Sequence, residues 1–192
     1  MPVTEPIAAC TRGDELEGAE TGGKKMSEPN WYALWVKSRS EFVTSQELSR
    51  KGIESFVPAA TRVRQWADRR KKVDFPLFPG YVFVHILPGA EEFLNVVQTR
   101  GSVCLVCLEP GRPTSVPSQE IAALRILLES GSQIDVYPTL KEGAAVRVKR
   151  GPLSGAVGIL EKRKGQDVFL VNIEILGRSV GARISAEDIE QA

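Results

Sequence analysis

The reactive side chains of this sequence fall into four groups, and two of them can be set aside on chemical grounds. Cys104 and Cys107 have the spacing of a redox pair or of half a zinc site. A zinc site normally needs four ligands, no second cysteine pair exists, and the one histidine, His85, lies elsewhere. The pair therefore reads as structural cysteines in a strand, and no metal is expected. His85 ends a strand pattern with no nucleophile and carboxylate at an informative spacing, and no glycine loop could cradle a phosphate. Neither catalysis nor a cofactor is expected. The third group is the basic run Arg69, Arg70, Lys71 and Lys72, which is either a solvated turn or a contact with nucleic-acid phosphates. The fourth is Phe75-Pro76-Leu77-Phe78-Pro79-Gly80-Tyr81-Val82-Phe83-Val84. In a strand, Tyr81 and Phe83 share one face while Val82 and Val84 share the other, so both faces are apolar. Such a strand is buried on both sides or lends one side to a partner, with its two prolines fixing how the chain enters.

The elements that must hold these groups follow from pattern and punctuation. Residues 1–30 mix Gly, Thr, Glu, Ala and Lys without apolar period and are expected to be disordered. Met26, just before the first periodic segment, is a candidate initiator. Residues 31–37 read as a central strand. Ser38 followed by Glu41 resembles a capping box for a helix over 40–51 closed by Gly52. A short strand at 53–57 leads into an extended hairpin over 62–75 with the basic run at its tip. After the aromatic strand come a helix at 89–99, a strand at 103–108 and a Gly-Pro loop at 110–117. A helix then starts at Ser118, with Ile121, Leu124 and Leu128 on one stripe and Gly131 to end it. Residues 131–140 lack apolar period and read as a linker. Beyond it, β-branched runs at 146–148, 157–160, 168–175 and 180–184 alternate with Gly and charged turns, the texture of a small bent sheet or barrel.

Composition limits the rest. The 192 residues suffice for one ordinary domain or two small ones, and their apolar and charged fractions, 42% and 26%, are those of a soluble globular protein. No run approaches the roughly 18 apolar residues that span a bilayer, and no secretion signal opens the chain. No membrane partner is expected, and three cysteines are too few for a disulfide scaffold, so the reading is cytoplasmic. The net charge of +1 conceals segregation: residues 31–75 carry ten basic and five acidic side chains, and residues 139–192 carry nine and seven. That profile suits contact with a nucleic-acid backbone without a tight, self-sufficient binder.

With these residues in view, the chain resembles the NusG family of transcription elongation factors over residues 31–192. Three places carry the resemblance. Trp31-Tyr32 with Lys37, Arg39 and Glu41 opens an NGN domain; the aromatic stretch from Pro76 to Val84 follows. Val146-Arg147-Val148 through Gly151-Pro152-Leu153 to Gly155 and Gly158, then Leu176-Gly177-Arg178, matches a KOW domain. Thr99-Arg100-Gly101 and Val116-Pro117 with Glu120-Ile121 also fit the NGN pattern. The implied fold is α+β: an NGN domain over 31–130, with an antiparallel sheet flanked by helices, then the 131–140 linker, then an SH3-like KOW β-barrel over 141–192. The 110–117 loop, the 121–131 helix and the linker look closer to UpxY-type and RfaH-type antiterminators than to the housekeeping factor. However, Glu92-Phe93-Leu94 stands where the RfaH type has a His-Thr-Thr patch.

The resemblance also implies a function. The NGN domain would dock on the clamp helices of the RNA polymerase largest subunit through Phe78, Pro79, Tyr81 and Phe83, and promote processive, antiterminated transcription as a monomer. Lys37, Arg39, Arg69, Arg70 and Arg100 would lie near the non-template DNA strand, their alternative being a solvated, ion-paired surface. In the KOW domain, Val148, Gly151, Pro152 and Leu153 match the contact with a small-subunit ribosomal protein or the Rho factor, with Leu153 exposed on its turn or packed into the barrel. The β-branched runs and glycines favour a barrel over an α-hairpin. A rival reading is an rRNA-binding ribosomal or ribosome-assembly KOW protein.

Overall fold

The computed structural model describes residues 10–11, 28–65, 70–138, 143–163 and 166–192. In chain order the elements are β1 (Cys10–Thr11), β2 (Asn30–Val36), α1 (Glu41–Arg50), β3 (Glu54–Phe56), β4 (Ala59–Gln65), β5 (Arg70–Pro76), β6 (Tyr81–Ile86), α2 (Ala90–Val97), β7 (Ser102–Glu109), β8 (Arg112–Pro113) and β9 (Ser115–Val116). They continue with α3 (Ser118–Glu129), β10 (Ile134–Pro138), β11 (Ala144–Val148), β12 (Val157–Arg163), β13 (Gln166–Ile173), β14 (Arg178–Arg183) and β15 (Ile189–Gln191). No helix among the described residues is long and apolar enough to cross a membrane. The chain forms two compact units. One contains β1–β3, α1, β6, α2 and β7–β9; the other contains β4, β5, β10–β15 and α3 apart from its first residue.

The first unit is a seven-stranded antiparallel sheet with a main path β1-β7-β2-β6-β3. β2 lies in the middle because its run of Trp, Tyr, Leu and Val can be buried on both sides. Tyr32, Leu34 and Val36 point to one face, where Val82 and Val84 of β6, Leu48 of α1, and Phe93 and Val96 of α2 complete a core. The Tyr32 and Phe93 rings meet edge to face with centroids 5.1 Å apart. Trp31 and Ala33 point to the opposite face, where Phe83 and Val106 are also buried. Each fully buried side chain of this size contributes about 1.5–3 kcal/mol over leaving it in water. The sheet is therefore held from both sides.

In the second unit, β4 and β5 pair alone as a hairpin, in register from Ala59 opposite Pro76 to Gln65 opposite Arg70. Thr61 Oγ1 donates to Asp74 Oδ1 at 2.6 Å across it. The six-stranded antiparallel sheet runs β10-β14-β13-β12-β11-β15, with a 3-10 turn, Glu174–Leu176, between β13 and β14.

Several sequence expectations need correction. The N-terminal stretch expected to lack structure supplies β1, with Cys10 opposite Val106 and Thr11 opposite Leu105. Ile134–Pro138, inside the expected linker, is a strand: Val136 and Tyr137 pair opposite Val180 and Ser179, and backbone pairing needs no apolar period. The Ser38 capping box does not form. Ser40, not Ser38, precedes α1, without a side-chain cap bond, and the Glu41 carboxylate accepts from Gly80 N–H instead. Cys104 is disulfide-bonded, which the cysteine count did not suggest, while the Cys107 thiol is buried and donates to Leu105 O at 3.5 Å.

Candidate docking face and nucleic-acid interface

Alternation along β6 predicts Tyr81 and Phe83 as an outward pair, and the structure separates them. Phe83 is 0% exposed, and so is Phe78. The Phe83 ring packs edge to face on Phe78, with centroids 6.0 Å apart, and at a tilt on Phe56 at 6.4 Å. The cause is position in the sheet. β6 is an interior strand between β2 and β3, so neighbouring residues cover its middle, while its first residue and the turn before it reach the surface. Pro79 is exposed and Tyr81 is half-buried.

Two aromatic residues outside the expected set join them. Trp35, half-buried, is the cross-strand partner of Tyr81, and Phe56, also half-buried, is that of Phe83. The signal for Trp35 was present in the sequence, because Trp31, Ala33 and Trp35 share one face of a strand. Phe56 carried no such signal, since β3 has only three residues. His85 stacks on Trp31 with ring centroids 4.7 Å apart, and its Nδ1 lies 3.0 Å from Glu54 Oε2. Both nitrogen and ring thus have structural partners.

The turn that presents Pro79 and Tyr81 is pinned at three points. Val36 N–H donates to Gly80 O at 2.8 Å, Tyr81 N–H to Phe78 O at 3.1 Å, and Gly80 N–H to Glu41 Oε1 at 2.7 Å. Gly80 has a φ of 88°, a left-handed backbone that glycine adopts without strain, and its Cα side packs in ordinary contact with the Trp35 indole. Glu41 is 4% exposed, so its bond to the turn is a buried, charge-assisted one. Glu41→Leu is expected to lower unfolding free energy by about 1.5–3 kcal/mol, and Glu41→Gln by less, since the amide oxygen still accepts. Urea titration measures both; equal losses would show that the acceptor at Gly80 is unimportant.

Three of the five predicted basic contacts converge. Lys37 N–H donates to Gly101 O at 2.8 Å, bringing the β2–α1 turn against the α2–β7 turn. Lys37, Arg39 and Arg100 are all exposed there. Arg39 has a φ of 62°, a left-handed backbone that costs a non-glycine residue of order 1 kcal/mol or more. Thr44 Oγ1 donates to Arg100 O at 3.2 Å, so α1 holds this corner in place. Arg70 opens β5 on the separate hairpin, and Arg69 lies outside the described residues.

In the second unit, the turn after β11 is closed by Ser154 N–H to Gly151 O at 3.1 Å and Gly155 N–H to Val148 O at 3.0 Å. Gly151 and Pro152 are exposed on it, whereas Val148 and Leu153 are buried. Of the two alternatives for Leu153, packing is the one observed, because the turn folds back and carries the leucine beneath it. Among the described residues no group of His, Cys, Asp and Glu could hold a metal ion.

Comparison with known proteins finds a family and several relatives. Residues 29–125 match the family described as Transcription termination factor nusG. The chain is 24% identical over 178 residues to the Transcription termination/antitermination protein NusG of Buchnera aphidicola, covering 87% of this chain and 98% of that one. It is 26% identical over 172 residues to the protein of the same name from Vibrio vulnificus, covering 84% and 94%. Among solved structures it is similar to that described as "Domain interaction in Thermotoga maritima NusG", with 21% identity, a TM-score of 0.44, and coverage of 85% and 97%. The family match spans β2 to the first two-thirds of α3 and so includes the aromatic rim and the basic corner; the chain belongs to the NusG family of transcription factors.

Proposed function

We propose that the chain is a transcription elongation and antitermination factor that docks on the clamp helices of the RNA polymerase largest subunit through Trp35, Pro79 and Tyr81. The observation that supports this is a half-exposed aromatic rim on a sheet that is buried on both faces. Aromatic side chains on such a support lose little freedom on binding and are the residue types enriched at interface hot spots. Phe78 and Phe83 hold the rim from beneath. A factor that binds the elongating polymerase better than the paused one shifts the balance by that difference in affinity, without catalysis.

Lys37, Arg39 and Arg100 lie beside this function as contacts for the non-template DNA strand, where phosphate neutralisation makes binding salt-dependent. In the C-terminal unit, the exposed Gly151-Pro152 tip is the part of the KOW turn offered to a ribosomal protein or the Rho factor.

The test is recovery of RNA polymerase with the wild-type chain and with Trp35→Ala plus Tyr81→Ala. The double variant is expected to recover at least about tenfold less polymerase, as loss of hot-spot aromatics does elsewhere. Equal recovery by a variant with unchanged thermal stability would overturn the docking face. Cosedimentation with ribosomes in place of polymerase would favour the rRNA-binding reading.

A further inference from the structure

Among the described residues, the large apolar side chains left in solvent include one aromatic, Phe42, which is 46% exposed, and Val43 beside it is 44% exposed. Both stand in the first turn of α1, which buries Glu41, Thr44 and Leu48 instead. The Phe42 ring lies outside the core that α1 completes through Leu48. This turn is bonded directly into the basic corner. Ser40 N–H donates to Lys37 O at 3.0 Å, Thr44 N–H donates to Ser40 O at 2.8 Å, and Thr44 Oγ1 reaches Arg100 O at 3.2 Å. Helical side chains lean toward the N-terminus of their helix, so Phe42 and Val43 lean over the turn of residues 37–40 that carries Lys37 and Arg39. The acids at the start of α1 do not compete for these cations: Glu41 accepts from Gly80 N–H, and Glu47 pairs with Arg50 at 2.7 Å.

We propose that Phe42 is a stacking platform for a nucleobase, which restricts the basic corner to strands whose bases are unpaired. This rests on the reading of Lys37, Arg39 and Arg100 as phosphate contacts, and it adds what those cations cannot supply. Phosphates are present on single strands and duplexes alike, so contacts to them position a strand without reading its bases. A base inside a duplex has both faces covered by its neighbours, whereas an unpaired base offers a face to an exposed ring. The charge says what covers Phe42. Three exposed cations on two bonded turns call for a polyanion, and nucleic acid is the polyanion that carries flat apolar faces between its phosphates. Val43 extends the apolar surface beside the ring. Stacking tolerates any base, so the contact selects strandedness and not sequence.

The test is titration of the full chain at low ionic strength with a labelled oligodeoxythymidine strand, with the same strand built from abasic sites, and with its duplex with oligodeoxyadenosine. Phe42→Ala is expected to weaken binding of the base-bearing strand about tenfold at an unchanged salt slope, and to leave binding of the abasic strand and of the duplex as in wild type. Phe42→Trp is expected to match or exceed wild-type affinity for the base-bearing strand. Both variants should keep the wild-type thermal stability, because the ring is half-exposed. Unchanged binding by Phe42→Ala, or an equal loss on base-bearing and abasic strands, would overturn the stacking role. Failure of the phosphate reading looks different: replacing Lys37, Arg39 and Arg100 by alanine would then leave the salt slope unchanged. Absence of binding to every strand would overturn both.

Discussion

Phe83→Ala is expected to lower the free energy of unfolding by about 3–5 kcal/mol. The side chain is 0% exposed, and it is confined by Phe78 and Phe56 on its own face and by backbone pairing to Ala33 and Phe56 on either side. Removing the ring deletes its transfer free energy and leaves a cavity that two flanking strands cannot close without breaking their ladders. Domains of this size have only about 5–15 kcal/mol to lose, so the urea midpoint should drop sharply at an unchanged slope. Tyr81→Ala, two residues earlier and half-buried, should cost only about 1 kcal/mol. Equal losses at the two positions would contradict the sheet order around β6. The contrast decides how the docking face is probed: lost binding by Phe83→Ala would follow from unfolding alone, whereas lost binding by Tyr81→Ala would not.

Gly101→Ala is expected to cost about 2–4 kcal/mol, from two sources that can be separated. The first is backbone strain, since Gly101 has a φ of 89° and an alanine held there loses of order 1 kcal/mol or more. The second is overpacking, typically about 1–3 kcal/mol: a Cβ would fall on Thr44 Oγ1 and lie 3.2 Å from Ser40 Cβ. Thr44 is fully buried and bonded to Arg100 O, so it has little room to yield. Deleting that oxygen removes the collision but not the strain. The double variant Thr44→Ala plus Gly101→Ala should therefore be less destabilised than the sum of the single variants, by about 1 kcal/mol. Additive losses would mean that α1 shifts away as a body. Because Lys37 N–H bonds to Gly101 O, the same substitution should also disturb the basic corner, read as weaker nucleic-acid binding by the folded fraction.

The elements of the fold were largely legible because periodicity and punctuation are local. The β2 run, the Gly52 stop after α1 and the β-branched runs after 143 all state their own conformation. Legibility failed where a side chain had more than one possible use. Glu41 has the position of a capping-box residue relative to Ser38, yet it serves Gly80, which lies 39 residues further along the chain. Residues 134–138 have the composition of a linker, yet their backbone completes the edge of β14.

The docking face shows the same division at the level of the site. Alternation alone determined which residues share a face of β6 and β2, and local composition determined that the turn before β6 would carry Pro79 and Gly80. Which of those residues reaches solvent was decided only by the tertiary structure. Exposure depends on what the neighbouring strands bring over each position, and β3 and the turn bring Phe56 and Phe78 over Phe83 but leave Trp35 and Tyr81 half open. Period-two patterning records which side of a sheet a residue faces; it holds no information about what covers that side, because the covering groups come from elsewhere in the chain.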